Sequence, residues 1–300
     1  MDALAPDMDA LAQQAIEARG ERWAKLERST EHVPEPEPEP EPDEPDPSAI
    51  RQQKPGHVGN LTAEQRSALD ELRLLAAPEL ASPEGRALSA LLRGDDYLLA
   101  RYLRGTAFVV GHAHRVLQKM LAWRKEQRLF LSDPKRIAVW QRLSPFFPAG
   151  YHRHTVNGEI VELWRIGQIW PAEIVSNFSQ EEVELAWFFH TESSLQQQQR
   201  LAQELGWAAG TAALVLVMDL QGMGKRHIAP RGLSLIAGLF ATTQKVYVEN
   251  ISRILVINAP KLFEVAFSVI RPALHPNTVA KISVHAGACT INRPLITMHD

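Results

Sequence analysis

Lys281 is the side chain best placed for chemistry in this chain, and it opens the run Lys281-Ile-Ser-Val-His285. Read as a strand, that run turns Lys281, Ser283 and His285 to one face and Ile282 and Val284 to the other. Before it lies Leu262-Phe-Glu-Val-Ala-Phe-Ser-Val-Ile270, a helical stretch interrupted only by Glu264 and Ser268. A helix apolar nearly all round belongs in a core, or against something that is not protein. An oily helix beside a sideways-pointing lysine suggests a cavity for an amphiphile. The other candidates lack partners. Gly222-Met-Gly-Lys-Arg226 has the spacing of neither a phosphate loop nor a dinucleotide fingerprint, and a plain strand-to-helix turn accounts for it. His152 and His154 can share a strand face, yet no third metal ligand is placed near them. Cys289 has no identifiable base and there is no G-x-S-x-G elbow. Asp219 at a strand end reads as a turn cap. No catalytic residue, metal or cofactor is therefore expected.

The elements that must position Lys281 follow from periodicity. Ile251-Ser-Arg-Ile-Leu-Val-Ile-Asn-Ala-Pro260 holds an unbroken apolar run at 254–257, the mark of a strand buried on both faces, and Pro260 suits the start of the next helix. Leu214-Val-Leu-Val-Met-Asp-Leu220 is a second such strand. Glu159-Ile-Val-Glu-Leu-Trp-Arg165 is strand-like and follows an Asn157-Gly158 turn. Helices are expected over 180–203, 230–247 and 260–272, with strands at 252–258 and 279–285. Strands alternating with helices imply right-handed crossovers and a mainly parallel sheet. Ahead of them sits a small all-helical lobe at 61–131. Thr62-Ala-Glu-Gln65 reads as a capping box, with Leu69, Leu72, Leu75 and Ala76 as the buried stripe. Helices continue at about 83–92, 95–104 and 111–129. The fold class is thus α/β, a small N-terminal helical lobe followed by a mainly parallel sheet with flanking helices.

Composition bounds the rest. Of 300 residues, 45% are hydrophobic, ample for a core, and the net charge of −3 hides an asymmetry. Residues 1–47 hold 14 acids against 4 bases, so the folded body is mildly basic. That balance fits an anionic lipid surface as well as it fits an ordinary solvated one, and fits nucleic acid less, since no Lys/Arg run is interleaved with aromatics. The single cysteine suits a reducing compartment, no apolar run is long enough to span a membrane, and the start resembles no secretory signal, so a cytoplasmic chain is expected. Met8 to Arg28 has the pattern of a short amphipathic helix. The proline–glutamate run at 34–47 reads as an extended spacer, and this tail is the place for a protein partner, if there is one. The expected division is 1–60 tail, 61–131 helical lobe, 145–290 ligand-binding lobe and 291–300 tail.

Five pieces in order resemble the CRAL-TRIO family, in its secretory-pathway phosphatidylinositol transfer branch. They are Asp96-Tyr-Leu-Leu-Ala-Arg-Tyr-Leu-Arg104, Ala122-Trp-Arg-Lys125, Val217-Met-Asp-Leu-Gln-Gly222, Leu255-Val-Ile-Asn-Ala-Pro260 and His275-Pro-Asn-Thr-Val-Ala-Lys-Ile282. The resemblance spans about Asp95 to Gly287. It implies a non-enzymatic carrier that exchanges single phospholipids between membranes, touching membrane surfaces transiently. It implies a helical lobe packed on the sheet, flanking helices that enclose an apolar lipid pocket, and a gate in the oily helix, here with Phe263, Phe267 and Ile270. It also implies headgroup contacts from Glu249, Thr278 and Lys281. The residue types suit this: a phosphodiester can compensate a buried ammonium, a hydroxyl can donate to phosphate oxygens, and a carboxylate can accept from inositol hydroxyls.

Two departures bear on the ligand. The family's Arg-Lys pair after the Leu-Arg helix is Thr106-Ala107 here. Where branch members that also carry choline lipids place serine and threonine, this chain has Leu214 and Leu216, which argues against choline-lipid binding in that geometry. Besides transfer, two readings stand open: a non-transferring sensor or scaffold, and a carrier of a small hydrophobic ligand such as a retinoid, tocopherol or sterol.

Overall fold

The structure is a computed structural model that describes residues 55–92, 94–127, 134–155, 159–204 and 213–285. The chain divides into two compact units, Met1–Asp46 and Pro47–Asp300, and every described residue belongs to the second. The Met8 to Arg28 helix, the acidic spacer, the Asn157-Gly158 turn, Cys289 and the 291–300 tail lie outside the described residues.

Five helices form the N-terminal lobe: α1 (Ala63–Leu75), α2 (Ala77–Leu80), α3 (Pro83–Leu91), α4 (Asp95–Gly105) and α5 (Val110–Gln127). The capping box forms as expected. Gln65 N–H donates to Thr62 Oγ1 at 3.2 Å and Thr62 N–H to Gln65 Oε1 at 3.1 Å, satisfying two of the donors a helix start leaves open. Leu69, Leu72 and Ala76 are buried as expected, but Leu75 is 44% exposed. It lies about 100° round the axis from Ala76, off the stripe that packs against α4 and α5. On α5, Ala113, Leu117, Met120, Leu121 and Arg124 are buried at helical spacing, with Val116 and Trp123 between them partly buried.

The second lobe runs α6 (Pro134–Leu143), β1 (Ala149–His154), β2 (Ile160–Arg165), α7 (Pro171–Asn177), α8 (Gln180–Glu204), β3 (Leu214–Asp219), α9 (Pro230–Val246), β4 (Ile251–Ile257), α10 (Leu262–Ile270), α11 (Pro276–Val279) and β5 (Ile282–Val284). The sheet has the order β1-β2-β3-β4-β5. Only β1 runs antiparallel to its neighbour, and the other three pairings are parallel. Alternation sorts the strands into two faces. Val161, Val215, Val217, Leu255 and Ile257 are buried together on one. Trp164, Leu216, Ile254 and Val256 are on the other, with Phe240, Phe263 and Ile282 against them.

Two segments differ from expectation in extent. The helix expected over 260–272 stops at Ile270, where Pro272 tightens the chain into a single 3-10 turn, Arg271–Ala273. The strand expected over 279–285 is only Ile282–Val284, because Pro276 starts a helical turn that His275 caps, its Nδ1 accepting from Asn277 N–H at 3.2 Å. Thr278 therefore sits in a helical turn, and Lys281 immediately precedes the strand.

A buried ion pair joins the lobes. Arg124 of α5 donates to both oxygens of Glu192 on α8, at 2.5 and 2.9 Å, and the Tyr247 hydroxyl donates to Glu192 Oε1 at 2.7 Å. Such a two-pronged pair fixes orientation as well as distance.

Candidate functional site

A cavity of about 1060 Å³ opens between α5, α9, α10 and the Trp164 face of the sheet. Its lining is mostly apolar, so polar groups within it stand out.

One polar end gathers the residues expected from sequence. Glu249, Thr278 and Lys281 all line the cavity. Lys281 Nζ lies 3.3 Å from Glu249 Oε1 and donates to the Ile251 carbonyl at 2.8 Å. Glu249 follows the end of α9 with φ at +54°, a conformation that costs a non-glycine residue energy and is kept only where the surroundings enforce it. Residues 249 and 281 stand 32 apart in sequence and meet because β4 and β5 are neighbouring parallel strands, with Ile254 opposite Ile282. From the helical lobe, His112 and Lys119 face the same cavity, in one stripe of α5 with Val116, Met120 and Trp123. Thr106 lines it too, donating its hydroxyl to the Tyr102 carbonyl at 2.9 Å, a bond back along α4.

The residues expected at a gate form part of the cavity wall. Phe263, Phe267 and Ile270 line the cavity, the two rings stacked 5.5 Å apart. The sequence reads α10 as apolar all round, and the fold gives its two sides different tasks. Val265 and Val269, on the opposite side, are 51% and 49% exposed.

The second polar end is one that sequence reading misses. Glu162, Leu216, Ile254 and Ile282 pair across four strands in one row, and all four line the cavity. Glu162 is therefore three strand spacings from Ile282, about 14 Å. It is 1% exposed. Its Oε1 accepts from the Trp164 indole at 2.7 Å. His190 Nε2 of α8 lies 2.6 Å from the same oxygen, off the line of a hydrogen bond. The His190 ring is stacked between Trp140 at 4.8 Å and Tyr151 at 6.4 Å. The signal for Glu162 is its place mid-strand between Val161 and Leu163: where both faces are covered, such an acid cannot point to water. Leu214 and Leu216 line the cavity as expected, but this carboxylate one strand away means they do not make that end wholly apolar.

The alternative motifs fall to structural roles. Asp219 Oδ1 accepts from Gln221 N–H at 2.9 Å and from Asn258 Nδ2 at 2.8 Å, which makes it a turn cap. Gly222 and Gly224 lie in the turn after β3, leading to the 3-10 turn Lys225–Ile228. No group of three or more metal-ligating side chains occurs among the described residues, and no helix there is long and apolar enough to cross a membrane.

Residues 147–292 match the family model of the CRAL/TRIO domain, which takes in every strand, the wall helix α10 and the Glu249–Lys281 end. The protein called real-time is 27% identical over 235 residues in Anopheles gambiae, covering 77% of this chain and 32% of that one. Its Aedes aegypti counterpart is 25% identical over 233 residues, covering 77% and 34%. The chain thus spans about a third of the length of these relatives. Among solved structures, the crystal structure of Sfh5 superposes with a TM-score of 0.57 at 12% identity, covering 74% of this chain and 80% of that one. The likeness to Sfh5 extends the fold beyond the matched domain, since it covers more of the chain than residues 147–292 alone.

Proposed function

Since residues 147–292 carry a domain of the CRAL/TRIO lipid-binding superfamily, we propose that this chain takes one phospholipid, with phosphatidylinositol the leading candidate, and exchanges it at membrane surfaces. The observation that carries this reading is the cavity itself. It has mostly apolar walls and one end where Glu249, Thr278 and Lys281 come together. Two acyl chains hold roughly 30 methylenes, each costing about 0.8 kcal/mol in water, so release into water is out of reach. A pocket as apolar as the bilayer makes the move nearly neutral. The lipid phosphate would take the ammonium of Lys281, the Thr278 hydroxyl would donate to it, and Glu249 would accept from ring hydroxyls. α10 would swing aside to admit the chains, its exposed valines meeting the bilayer.

A second reading has one observation in its favour, the Glu162–His190 end. Acyl chains alone give a buried carboxylate nothing to bond. A small apolar molecule bearing one hydroxyl could donate to it, which keeps the small-ligand carrier in play. Native mass spectrometry of the purified protein separates the two. A bound phosphatidylinositol mass that is lost in Lys281→Ala and kept in Glu162→Gln supports the first reading. A single-hydroxyl apolar ligand lost in Glu162→Gln and kept in Lys281→Ala replaces it with the second.

A further inference from the structure

Arg101 on α4 is 4% exposed, and its Nε is buried with no hydrogen-bond partner. The Nε of Arg104 is likewise buried and unpartnered, although its Nη1 donates to the Gly56 carbonyl at 3.3 Å. Guanidinium groups withdrawn from water need a counter-charge close by. The acid whose charge acts on both is Glu249. Burial still wins at Arg104, holding it down to about 10.

Geometry brings the α4 face that carries the arginines close to the Glu249 turn. Gly105 is four residues beyond Arg101 and so on the same face of α4. A Cβ at Gly105 would stand 2.1 Å from Val248 Cγ1 and 3.8 Å from Glu249 Cγ, so the bare backbone lets α4 close onto the Glu249 turn. On its other side Glu249 meets Lys281 at 3.3 Å. Glu249 is thus in contact with Lys281 and acts on the two arginines through space, beyond ion-pair distance.

We propose that Arg101 and Arg104 are the standing counter-ions of Glu249, holding the acid in place when Lys281 turns to an anionic headgroup. The role rests on the headgroup reading under Proposed function. Without them, a phosphate that drew Lys281 away would strand a half-buried carboxylate, and the cost of stranding it would offset the new contact. With them, the phosphate compensates Lys281 and the arginines compensate Glu249. Arg101 is accordingly a positioning residue.

A double-mutant cycle on phosphatidylinositol transfer between liposomes tests this, using the full chain as wild type, Arg101→Met, Glu249→Gln and the pair. Each single change should lower transfer about tenfold or more, and the pair should be no worse than the poorer single, because both remove one unit. Arg101→Lys, which keeps the charge, should restore most of the loss. Losses that multiply in the pair overturn the proposal, since Arg101 would then act elsewhere. Lys281→Ala runs alongside: full transfer by that variant ends the headgroup reading itself, which is a different outcome. If Arg101→Met does not fold, thermal unfolding of Glu249→Gln decides. Leaving two buried guanidinium groups without their acid should lower its Tm by about 6 °C or more, against about 2 °C or less for Lys281→Ala. Equal, small shifts for the two would also overturn it.

Discussion

Replacing Val265 and Val269 together by aspartate separates membrane docking from folding more cleanly than any change inside the cavity. The two lie four residues apart on the outer face of α10, 51% and 49% exposed, while Phe263, Phe267 and Ile270 occupy the inner face. Full burial of a valine side chain contributes about 1.5–3 kcal/mol, and roughly half of each remains to be buried, so the pair offers a bilayer about 2 kcal/mol. Losing that much weakens docking about 30-fold, and the added carboxylates oppose insertion further. In water the same residues are already half solvated, so folding stability should change by only about 1 kcal/mol for the pair. Vesicle flotation and lipid transfer should both collapse while Tm moves by a few degrees at most. A folded double variant that docks and transfers like wild type would refute the reasoning, because α10 would then be neither contact surface nor gate. Hydrogen exchange gives a second view: amides at 261–274 should gain or lose protection when vesicles are added, and those of β4 should not.

Three further outcomes are expected. Lys281→Ala removes a charge-assisted contact of about 1.5–3 kcal/mol, so phosphatidylinositol transfer should fall roughly 10- to 150-fold in a protein with unchanged circular dichroism. Gly105→Ala puts a methyl against Val248 and should destabilise by about 1–3 kcal/mol in chemical denaturation, with Val248→Ala in the same chain recovering part of it. Arg124→Met leaves Glu192 buried without its cation and should cost about 3–5 kcal/mol, read as a Tm loss of at least 6 °C or so.

How much of the molecule is legible in its sequence depends on the range of the forces involved. The strands 214–219 and 251–257 are legible because apolar residues on both faces leave few alternatives to a covered sheet. The capping box at Thr62 is legible because both of its partners lie within four residues. Lys281 and Glu249 are placed by resemblance, and their meeting depends on β4 and β5 pairing, which periodicity alone does not reveal. Alternation from Val279 to His285 reads as one strand, but the His275 cap and Pro276 commit the backbone to a helical turn first. Glu162 escapes notice because an acid in an alternating strand reads as solvent-facing, and only the packing of α8 over that face puts it beside His190. Arg101 escapes for a related reason. In Leu98-Leu-Ala-Arg-Tyr-Leu it passes for the polar side of a helix, and nothing local indicates that it is buried.

The Arg124–Glu192 pair has a consequence for traffic through the cavity. Separating the lobes along that seam means breaking a buried bidentate contact that fixes their orientation. Among the described residues that pair holds the seam together, and the proposed function makes α10 the crossing. A vessel filled and emptied by one door works as a shuttle and not as a conduit: its occupant must leave before another boards. Carriage of that kind equalises the make-up of two membranes without moving net mass between them. Any lasting one-way flow of lipid would then have to be drawn by whatever consumes the cargo at its destination.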